Sequence, residues 1–417
     1  MASAPAPIRL GLIGAGRRLC YFLPNLAALS DRVEIAAIAD PAGPQALELL
    51  RSIPGVPANQ NVRLYESADE LLQGSTSLDG LMVGTRCSLH TPIAVRAASS
   101  GLPLFLEKPV ATGWQQLSDL ATAYRDRYDS VVVSFPLRTT PLLTRVLEIV
   151  RSGQIGVVNQ VQAVNNVPYG GVYFGEWYRD FAESGGLWLQ KATHDFDYIA
   201  LLMGQPIVRV AATSTQRVYG GTRPFDLRCS RCEITATCPE SPENLAKHDP
   251  HGANGMAVSD PMGDHACAFS DGILNEDAGS ALLQFEDGTH ASYSQNFLTR
   301  KTAGRRGAVI TGYLGTLAFD WYSEKITVTE HHGNAVEEIE VKASEGHAGG
   351  DSVLAQMFLD LLDGRPSRAT LADGIASVAS CLAARDSSAA NAFRDVPSIP
   401  QLLAGHGLVN ASAGASR

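Results

Sequence analysis

This sequence of 417 residues lacks several features that would assign it to a class at once. Charged residues make up 18 % of it, lysine and arginine form no cluster, and the formal net charge is −10, which argues against nucleic acid or an anionic membrane as partner. No apolar run approaches the roughly 18 residues of a membrane-spanning helix. The N-terminal stretch MASAPAPIRL lacks the basic start and apolar core of an export signal, so we expect a soluble, cytoplasmic protein.

The seven cysteines are an odd number and indicate no disulfide framework. In a cytosolic chain they are expected to be reduced, and a cluster among them indicates a metal before a disulfide. Cys229, Cys232 and Cys238 have knuckle-like spacing in a loop at about 219–275, and Cys267 could supply a fourth thiolate. Four sulfurs would form a closed, structural zinc site. Four reduced thiols without a metal are an equally good interpretation.

Hydrophobic residues make up 45 % of the chain, as in a globular protein, and the length allows two or three domains. Alternating strand-like and helix-like segments over residues 1–135 predict an α/β domain with a doubly wound parallel sheet, a Rossmann fold. Strands that alternate apolar and polar residues over 136–350 predict an α+β domain with a large, open mixed sheet. Helices and a tail are expected over 351–417. The open face of the mixed sheet is the expected contact of a homo-oligomer.

The stretch from Ile8 to Leu19, IRLGLIGAGRRL, predicts a strand that turns through Gly14, Ala15 and Gly16 into a helix. Unpaired N–H groups and the helix dipole at such a turn bind anions, and the pyrophosphate of a dinucleotide is the natural occupant. The third glycine of the G-x-G-x-x-G motif is replaced by Leu19, which weakens the motif. Taken alone, the loop fits an ordinary strand–helix turn equally well.

Asp40 ends the second predicted strand, 24 residues after Gly16. A carboxylate at that place can accept hydrogen bonds from the adenosine ribose of NAD, whereas the alternative is an aspartate that forms the turn before Pro41. Arg17 and Arg18 lie where they could meet the pyrophosphate or the 2′-phosphate of NADP. NAD is therefore favoured, and NADP stays open.

Two further side chains follow predicted strands. Thr85 and Lys108 would join Gly14 and Asp40 at the carboxyl edge of the parallel sheet, where such folds bind their ligands. Partial loss of hydration at the mouth of a buried sheet would suit Lys108 to proton transfer. The alternative is a surface lysine at the end of a strand.

The densest polar cluster of the second domain is GGLWLQKATHDFD at 185–197. On a helix that begins near Gln190, Gln190 and His194 are four residues apart and Lys191 and His194 are three apart, so these side chains share a face. A histidine beside a lysine can act as an acid/base and hydroxyl-binding pair. The alternative is an amphipathic helix with a satisfied polar histidine. The aspartates that follow complete no ligand set, so no catalytic metal is expected.

Four stretches in the same order resemble the glucose–fructose oxidoreductase, inositol dehydrogenase and rhizopine-catabolism (Gfo/Idh/MocA) family. The matching stretches, which together span nearly the whole chain, are Gly11 to Gly16, His90 to Pro109, Phe135 to Pro141 with Ser152 to Gly156, and Gly185 to Gly204. Glu-Lys-Pro at 107–109 is the most specific of these features. The resemblance implies a nicotinamide cofactor in the first domain and a sugar or cyclitol as substrate.

The resemblance also implies roles for single residues. Lys108 would lie near the nicotinamide and the reacting carbinol, and His90 and Glu107 would line the cofactor cleft. His194 matches the histidine that binds the reacting hydroxyl or relays its proton. The family has an aspartate four residues before that histidine.

This chain has Gln190 at that place, and an amide cannot act as the acid or base. The next residue, Lys191, is the candidate replacement. Tyr178 and Arg179, which follow Trp177, precede the cluster and could bind substrate.

The leading hypothesis is an NAD(P)-dependent dehydrogenase or reductase that moves a hydride between nicotinamide and a ring carbon of a sugar, sugar derivative or cyclitol. Lys108, His194 and Lys191 would move the hydroxyl proton. Two alternatives keep the fold: a redox-neutral epimerase, lyase or glycosidase with retained NAD, and a non-catalytic regulator that senses a nucleotide or a sugar.

Overall fold

The computed structural model describes residues 6–56, 58–74, 77–248, 264–342 and 347–405. The chain divides into two compact units. Unit 1 consists of Met1–Pro141, Ser344–Ala379 and Pro397–Arg417, and unit 2 of Leu142–Ala343 and Ser380–Val396. The stretch 351–417, which the sequence analysis sets apart, is therefore shared between the units, because its helices pack on cores that earlier segments form.

Unit 1 is built on a parallel sheet of six strands in the order β3-β2-β1-β4-β5-β6. The strands are β1 (Ile8–Ile13), β2 (Val33–Ala39), β3 (Ala58–Tyr65), β4 (Gly80–Val83), β5 (Leu104–Leu106) and β6 (Val131–Val133). All five neighbouring pairs are parallel, which confirms the predicted Rossmann sheet. The sequence analysis missed β3, because its residues, ANQNVRLY, lack the long apolar run of the central strands.

Helices follow the strands of unit 1. They are α1 (Arg17–Leu29), α2 (Gly43–Ser52), α3 (Ala68–Gln73), α4 (Cys87–Ala98) and α5 (Trp114–Ala123), with the later helices α11 (Gly350–Leu362) and α13 (Ile399–Leu403) in chain order. The core joins strand residues of β1 and β2 to Phe22 of α1 and Phe358 of α11. These contacts explain why α11 belongs to unit 1.

Unit 2 is built on a mixed sheet of nine strands in the order β14-β13-β12-β11-β7-β10-β9-β8-β15. Its strands are β7 (Val158–Asn166), β8 (Ile207–Thr215), β9 (Ala278–Phe285), β10 (His290–Asn296), β11 (Arg305–Gly312), β12 (Gly315–Asp320), β13 (Lys325–Glu330), β14 (Val336–Glu340) and β15 (Arg394–Asp395). The pair β7–β10 is parallel and the other pairs are antiparallel. This confirms the predicted large mixed sheet.

Unit 2 also contains helices. They are α6 (Pro141–Arg151), α7 (Val172–Gly175), α8 (Phe181–Ser184), α9 (Thr193–Met203) and α10 (Pro242–His248). A π-helical turn, Trp188–Ala192, leads into α9, so this helical segment begins before the predicted start near Gln190. The helix α12 (Leu371–Ala390) includes residues of both units. Among the helices that the structure describes, none has both the length and the hydropathy to cross a lipid bilayer.

Candidate active site

The glycine loop of unit 1 is held tightly between β1 and β4. Gly14 has φ +78°, a left-handed conformation that favours glycine, and a Cβ on it would lie 2.5 Å from Cγ2 of Thr85. The N–H of Gly16 donates to the Gly84 carbonyl at 3.2 Å, and a Cβ on Gly16 would lie 2.4 Å from that oxygen. Both positions therefore require glycine for the loop to reach the sheet edge.

The missing third glycine of the motif has a counterpart on the neighbouring strand. Leu19 is fully buried in the first turn of α1, and a Cβ added to Gly84 would lie 2.8 Å from Cβ of Leu19. The close approach of helix and sheet, which a glycine on the helix normally allows, is provided here by Gly84 at the end of β4.

The N-terminus of α1 fits the pyrophosphate of a dinucleotide. Its N-cap residue, Gly16, has no side-chain cap, and no acidic residue stands in the first turn. The first N–H groups of a helix have no partner within the helix, so an uncapped start can donate them to an anion. Arg17 is exposed beside this turn.

Asp40 lies at the end of β2 and holds the glycine loop. Its Oδ2 accepts a hydrogen bond from the N–H of Ala15 at 3.0 Å, and its Oδ1 accepts one from Ala42 at 2.9 Å. This geometry is compatible with both roles expected of Asp40, which are to bind the adenosine ribose and to form the turn before Pro41. Each carboxylate oxygen can accept a second hydrogen bond, for example from a ribose hydroxyl. The residue is half-buried.

Arg18 does not lie where the sequence analysis expected it. Its guanidinium forms a paired contact with Asp351 of α11, at 2.9 Å and 2.5 Å, and its Nε lies 3.5 Å from Oε1 of Glu107. Two buried carboxylates attract this cation into unit 1, so the expectation that Arg18 meets a phosphate is corrected. Arg17 alone keeps that role as a prediction.

His90 and Glu107 lie beneath the surface of unit 1. Nδ1 of His90, the closer ring nitrogen, donates to the Pro109 carbonyl at 2.8 Å, and Nε2 lies 3.2 Å from the Thr85 carbonyl. Burial lowers the pKa of His90 to about 4, although both contacts oppose this, so the ring is neutral near pH 7. Glu107 is also buried. This geometry fits a role in which His90 and Glu107 stabilise the strand ends from within the core.

Lys108 is the second residue after β5 and is half-buried. The peptide bond between Lys108 and Pro109 is cis. Gly14, Asp40, Thr85 and Lys108 thus follow β1, β2, β4 and β5 in turn, all at the carboxyl edge of the parallel sheet, as predicted. That edge is where ligands bind in doubly wound sheets.

A second polar cluster lies in unit 2 around the π-helical turn. Lys191 is buried, and its Nζ donates a short hydrogen bond to the hydroxyl of Tyr169. The same nitrogen lies 4.4 Å from the ring centre of Tyr169 and 5.2 Å from that of Tyr173. Burial, together with the charge of Arg306, holds the pKa of Lys191 well below its usual range, and Asp195 opposes this only in part.

Asp195 and Arg306 form a buried ion pair next to this lysine. Oδ1 of Asp195 lies 2.8 Å from Nη2 and 2.9 Å from Nε of Arg306. Its Oδ2 accepts hydrogen bonds from Nδ2 of Asn165 at 2.7 Å and from the hydroxyl of Tyr293 at 2.8 Å. Both carboxylate oxygens are therefore occupied by partners other than Lys191.

Gln190 has a structural partner. Its Nε2 donates to the backbone carbonyl of Ser184 at 2.7 Å. The π-helical turn changes the spacing of side chains from four residues per turn towards five, so the predicted shared face of Gln190 and His194 does not follow from an α-helix. His194 is buried at the start of α9.

Tyr178 and Arg179, the expected substrate-binding pair, differ in surroundings. Tyr178 stacks on Trp177 with ring centres 3.9 Å apart and contacts the ring of Tyr173 at 4.9 Å. Arg179 is buried, its guanidinium lies 4.1 Å above the ring of Phe225, and burial lowers its pKa. Tyr178 therefore joins the aromatic group beside Lys191, whereas Arg179 packs on the segment that precedes the cysteines.

The four cysteines of the loop converge as predicted. Cys229, Cys232, Cys238 and Cys267 line one cavity, all as free thiols, and Nη1 of Arg223 donates to Sγ of Cys232 at 3.5 Å. Burial raises the pKa of Cys229 to about 11, and the neighbouring thiols add to this effect. Within the described ranges, no group of three or more His, Cys, Asp or Glu side chains is arranged to hold a metal ion. The predicted zinc site is therefore not supported.

Sequence reasoning missed Tyr169 and Arg306, the two residues that give Lys191 its surroundings. Tyr169 stands three residues after β7, and Arg306 lies on β11, so both are far from Lys191 in sequence. The two arginines that begin the otherwise uncharged strand β11 are the signal that could have indicated Arg306. No pattern in the sequence indicates Tyr169.

A Rossmann sheet with an uncapped helix start and a lysine at its carboxyl edge defines a dinucleotide-binding oxidoreductase fold. Comparisons with known families agree. Residues 8–135 match the oxidoreductase family with the NAD-binding Rossmann fold, and residues 143–318 match the GFO/IDH/MocA C-terminal domain. The chain belongs to the Gfo/Idh/MocA family of oxidoreductases.

Several curated relatives are similar over part or most of the chain. The rhizopine catabolism protein MocA of Rhizobium meliloti is 27 % identical over 218 residues, which are 51 % of this chain and 62 % of MocA. The oxidoreductase YteT of Bacillus subtilis is 26 % identical over 81 % of this chain and 85 % of YteT. Inositol 2-dehydrogenase of Rhizobium meliloti is 26 % identical over 50 % of this chain and 58 % of that enzyme. The chain thus spans less than two thirds of two of these relatives.

Solved structures share the fold over nearly the whole chain. Levoglucosan dehydrogenase, in a complex with NADH and L-sorbose, has a TM-score of 0.74 at 17 % identity and covers 94 % of this chain and 100 % of its own. A myo-inositol dehydrogenase from Corynebacterium glutamicum has a TM-score of 0.64 at 18 % identity, with 94 % and 99 % covered. These likenesses show the fold.

Proposed function

We propose that the chain is an NAD(H)-dependent dehydrogenase that oxidises a secondary alcohol on the ring of a sugar, a sugar derivative or a cyclitol, or reduces the corresponding ketone. The observation that carries the proposal is the row of groups at the carboxyl edge of the parallel sheet: Gly14, Asp40, Thr85 and Lys108 follow four strands there. The names of the inositol dehydrogenase relatives and the levoglucosan dehydrogenase structures support the substrate class.

The residues of unit 1 fit the dinucleotide. The backbone N–H groups of Arg17 and Arg18 at the start of α1, as distinct from the Arg18 guanidinium, would hold the pyrophosphate, and Asp40 would hold the adenosine ribose, which favours NAD over NADP. His90 and Glu107 would act as positioning residues, because both are buried beneath the loop that carries Lys108. When bound, the nicotinamide accepts or donates the hydride.

The hydroxyl proton is the part of the reaction that this chain's own side chains would handle. In the oxidation direction the O–H bond breaks as the hydride leaves carbon, and the proton needs a nearby base. Lys108 and Lys191 are the proposed proton carriers, and His194 would hold the hydroxyl. Tyr178, with the stacked ring of Trp177, offers an aromatic surface for the apolar face of a ring substrate.

Gln190 bears on the choice between an enzyme and a binding protein. Its side-chain amide donates to the backbone of Ser184, so its place in the motif is structural, and the neighbouring Lys191 supplies a titratable group. A regulator that had lost its acid/base residue would have no reason to bury an amine there. This favours an enzyme over a sensor.

The test is a panel of sugars and cyclitols with NAD and NADP, followed by nicotinamide absorbance, on the wild type and on Lys108→Met. We expect the variant to lose about 10²- to 10⁴-fold in turnover while its affinity for NADH, measured by fluorescence, stays within a few-fold of the wild type. Lys325→Met, on an exposed lysine of β13, is the control and should keep full turnover. Undiminished turnover of Lys108→Met would contradict the proposal.

The same panel separates the redox-neutral alternative. An epimerase or lyase with retained NAD would convert a sugar, as seen by chromatography, without a net change in nicotinamide absorbance. A dehydrogenase converts the sugar and the nicotinamide in equal molar amounts.

A further inference from the structure

Lys191 is a buried amine whose described neighbours are neutral tyrosines. It donates to the Tyr169 hydroxyl and lies over the rings of Tyr169 and Tyr173. Among the residues that the structure describes, no carboxylate forms an ion pair with it. An ammonium group taken out of water without a counterion is costly, so burial favours the neutral amine.

Among the described residues, the charged groups that act on the pKa of this amine are Arg306 and Asp195, which form an ion pair. Asp195 stands four residues later on the same helical segment, and Arg306 reaches it from β11. Both carboxylate oxygens of Asp195 accept hydrogen bonds from Arg306, Asn165 or Tyr293, and its charge raises the pKa of Lys191 less than the charge of Arg306 lowers it. The cation of Arg306 is the stronger of the two influences on the pKa of Lys191, and it lowers that pKa.

We propose that the Arg306–Asp195 ion pair is a positioning pair that keeps Lys191 as a neutral amine, hydrogen-bonded to Tyr169 and ready to accept a proton. The inference deepens the proposed function and rests on it for the identity of the proton donor. In that reaction the O–H bond of the substrate breaks, its proton forms a new N–H bond at Nζ of Lys191, and the hydride goes to the nicotinamide. The resulting ammonium returns the proton to solvent.

The arrangement also explains how the chain could work without an aspartate at position 190. An aspartate at that place would be negative at neutral pH and could accept a proton directly. A lysine can do so only if its pKa falls from about 10.4 towards neutral pH. Burial beside the cation of Arg306 lowers the pKa of Lys191 in that direction, and Nζ is held in a hydrogen bond to Tyr169.

The decisive measurement is the titration of Lys191 itself, by NMR of protein labelled with [ε-¹³C]lysine. The chain has six lysines, at 108, 191, 247, 301, 325 and 342, so the spectrum is sparse, and Lys191→Met assigns the signal. We expect Lys191 to titrate well below the value of about 10.4 that is usual for a lysine. A midpoint near that usual value would overturn the proposal.

Two variants of the ion pair should move this midpoint in opposite directions. Asp195→Asn leaves the cation of Arg306 in place, so the midpoint should fall by about one pH unit or more. Arg306→Gln leaves the carboxylate of Asp195, so the midpoint should rise by a similar amount. Shifts in the same direction, or no shift, would contradict the proposal.

If a single variant does not fold, the double variant Asp195→Asn with Arg306→Gln is measured instead, because it leaves no buried charge without its partner. Its midpoint should lie above that of the wild type, since the stronger influence is removed; a midpoint at or below the wild type would overturn the proposal. The NMR readout does not depend on activity. A wild type that converts no substrate would refute the proposed function and leave the titration result as it stands.

Discussion

Leu19 stands where a glycine of the helix would let α1 approach the sheet, and Gly84 of the adjoining strand provides the space instead. The requirement for a close helix–strand contact is therefore met by a residue that a search for the motif does not include. Gly16 makes the contact tighter still, because its Cα faces the Gly84 carbonyl. The glycine motif is therefore incomplete in the sequence, but the folded structure still allows the close contact between helix and strand.

Gly16→Ala tests this contact. The added Cβ would lie 2.4 Å from the Gly84 oxygen, a backbone atom that cannot rotate away, so we expect a loss of about 1–3 kcal/mol in the free energy of unfolding. Differential scanning fluorimetry should show a lower Tm, and NADH affinity should fall. Gly113→Ala, where nothing lies within 4 Å of the new Cβ, should be nearly neutral. Equal effects of both variants would show that the packing reason is wrong.

Arg18 and Asp351 form the most consequential ion pair of unit 1. Burial by itself would raise the pKa of Asp351, but the hydrogen bond from His347 and the charge of Arg18 outweigh it and hold this pKa well below its usual range. A carboxyl with a lowered folded-state pKa stabilises the protein above its unfolded pKa, about 3.9. That stability is lost progressively as the pH falls from this value towards the lower pKa of the folded state.

Arg18→Gln should therefore cost about 3–5 kcal/mol at pH 7, because it leaves a buried carboxylate without its cation. Urea unfolding at several pH values should show a weaker loss of stability below pH 4 in the variant than in the wild type. Arg145→Gln removes the cation of an exposed pair with Glu148 and should change stability by about 0.5 kcal/mol or less. If Arg18→Gln behaves like this control, the pair is not structural.

At the scale of elements, the π-helical turn that carries Lys191 is anchored at its start. The N–H of Trp188 donates to Oε1 of Glu276 at 2.7 Å, and that of Leu187 donates to Oε2 at 3.4 Å. Burial raises the pKa of Glu276 to about 7, against these hydrogen bonds, which lower it. A single carboxyl group therefore holds the turn and titrates near neutral pH.

The sign of the pH effect follows from the raised pKa. The folded protein keeps the proton on Glu276 up to about pH 7, whereas the unfolded chain loses it near 4.3, so stability falls as the pH rises between these values. We expect a loss of about 3 kcal/mol over that window. Glu276→Gln cannot ionise and should show a flatter profile in urea unfolding.

Glu286→Gln, at an exposed turn, is the control for Glu276→Gln and should leave the profile of the wild type unchanged. An identical pH profile for Glu276→Gln and the wild type would refute the role of this carboxyl group.

At the scale of the whole molecule, the open face of the nine-stranded sheet bears an uncharged row. Residues paired across neighbouring strands form this row in the order Leu282, Ser292, Gln162, Val309, Ala318 and Thr327. Leu282 is half exposed, at 50 %. A broad face without charges at its centre suits contact with a second copy of the chain, so the predicted homo-oligomer stays a prediction with a defined surface.

Gln162→Glu tests that surface, because it replaces the amide nitrogen of the side chain with an oxygen and so adds a negative charge with little change in shape. If two copies meet across this row, like charges would be brought together and desolvated, and the oligomer should dissociate at micromolar concentration. Light scattering coupled to size-exclusion chromatography gives the mass. Gln45→Glu makes the same change at an exposed position of α2 and should keep the mass of the wild type. A wild type that is monomeric at all concentrations, or a variant of unchanged mass, would refute this surface.

The sequence by itself determined the Rossmann sheet, the mixed sheet and the row of groups at strand ends, because periodicity and turn residues act locally. Gly14, Asp40, Thr85 and Lys108 follow β1, β2, β4 and β5, as the strand-like and helix-like pattern predicts. Only the tertiary structure decided which charges meet. Arg18 pairs with a residue of α11, and Lys191 lies between Tyr169 and the Arg306–Asp195 pair. The Arg18–Asp351 and Asp195–Arg306 contacts join residues more than a hundred positions apart. Burial, which shifts the protonation of such groups, exists only once the chain has folded.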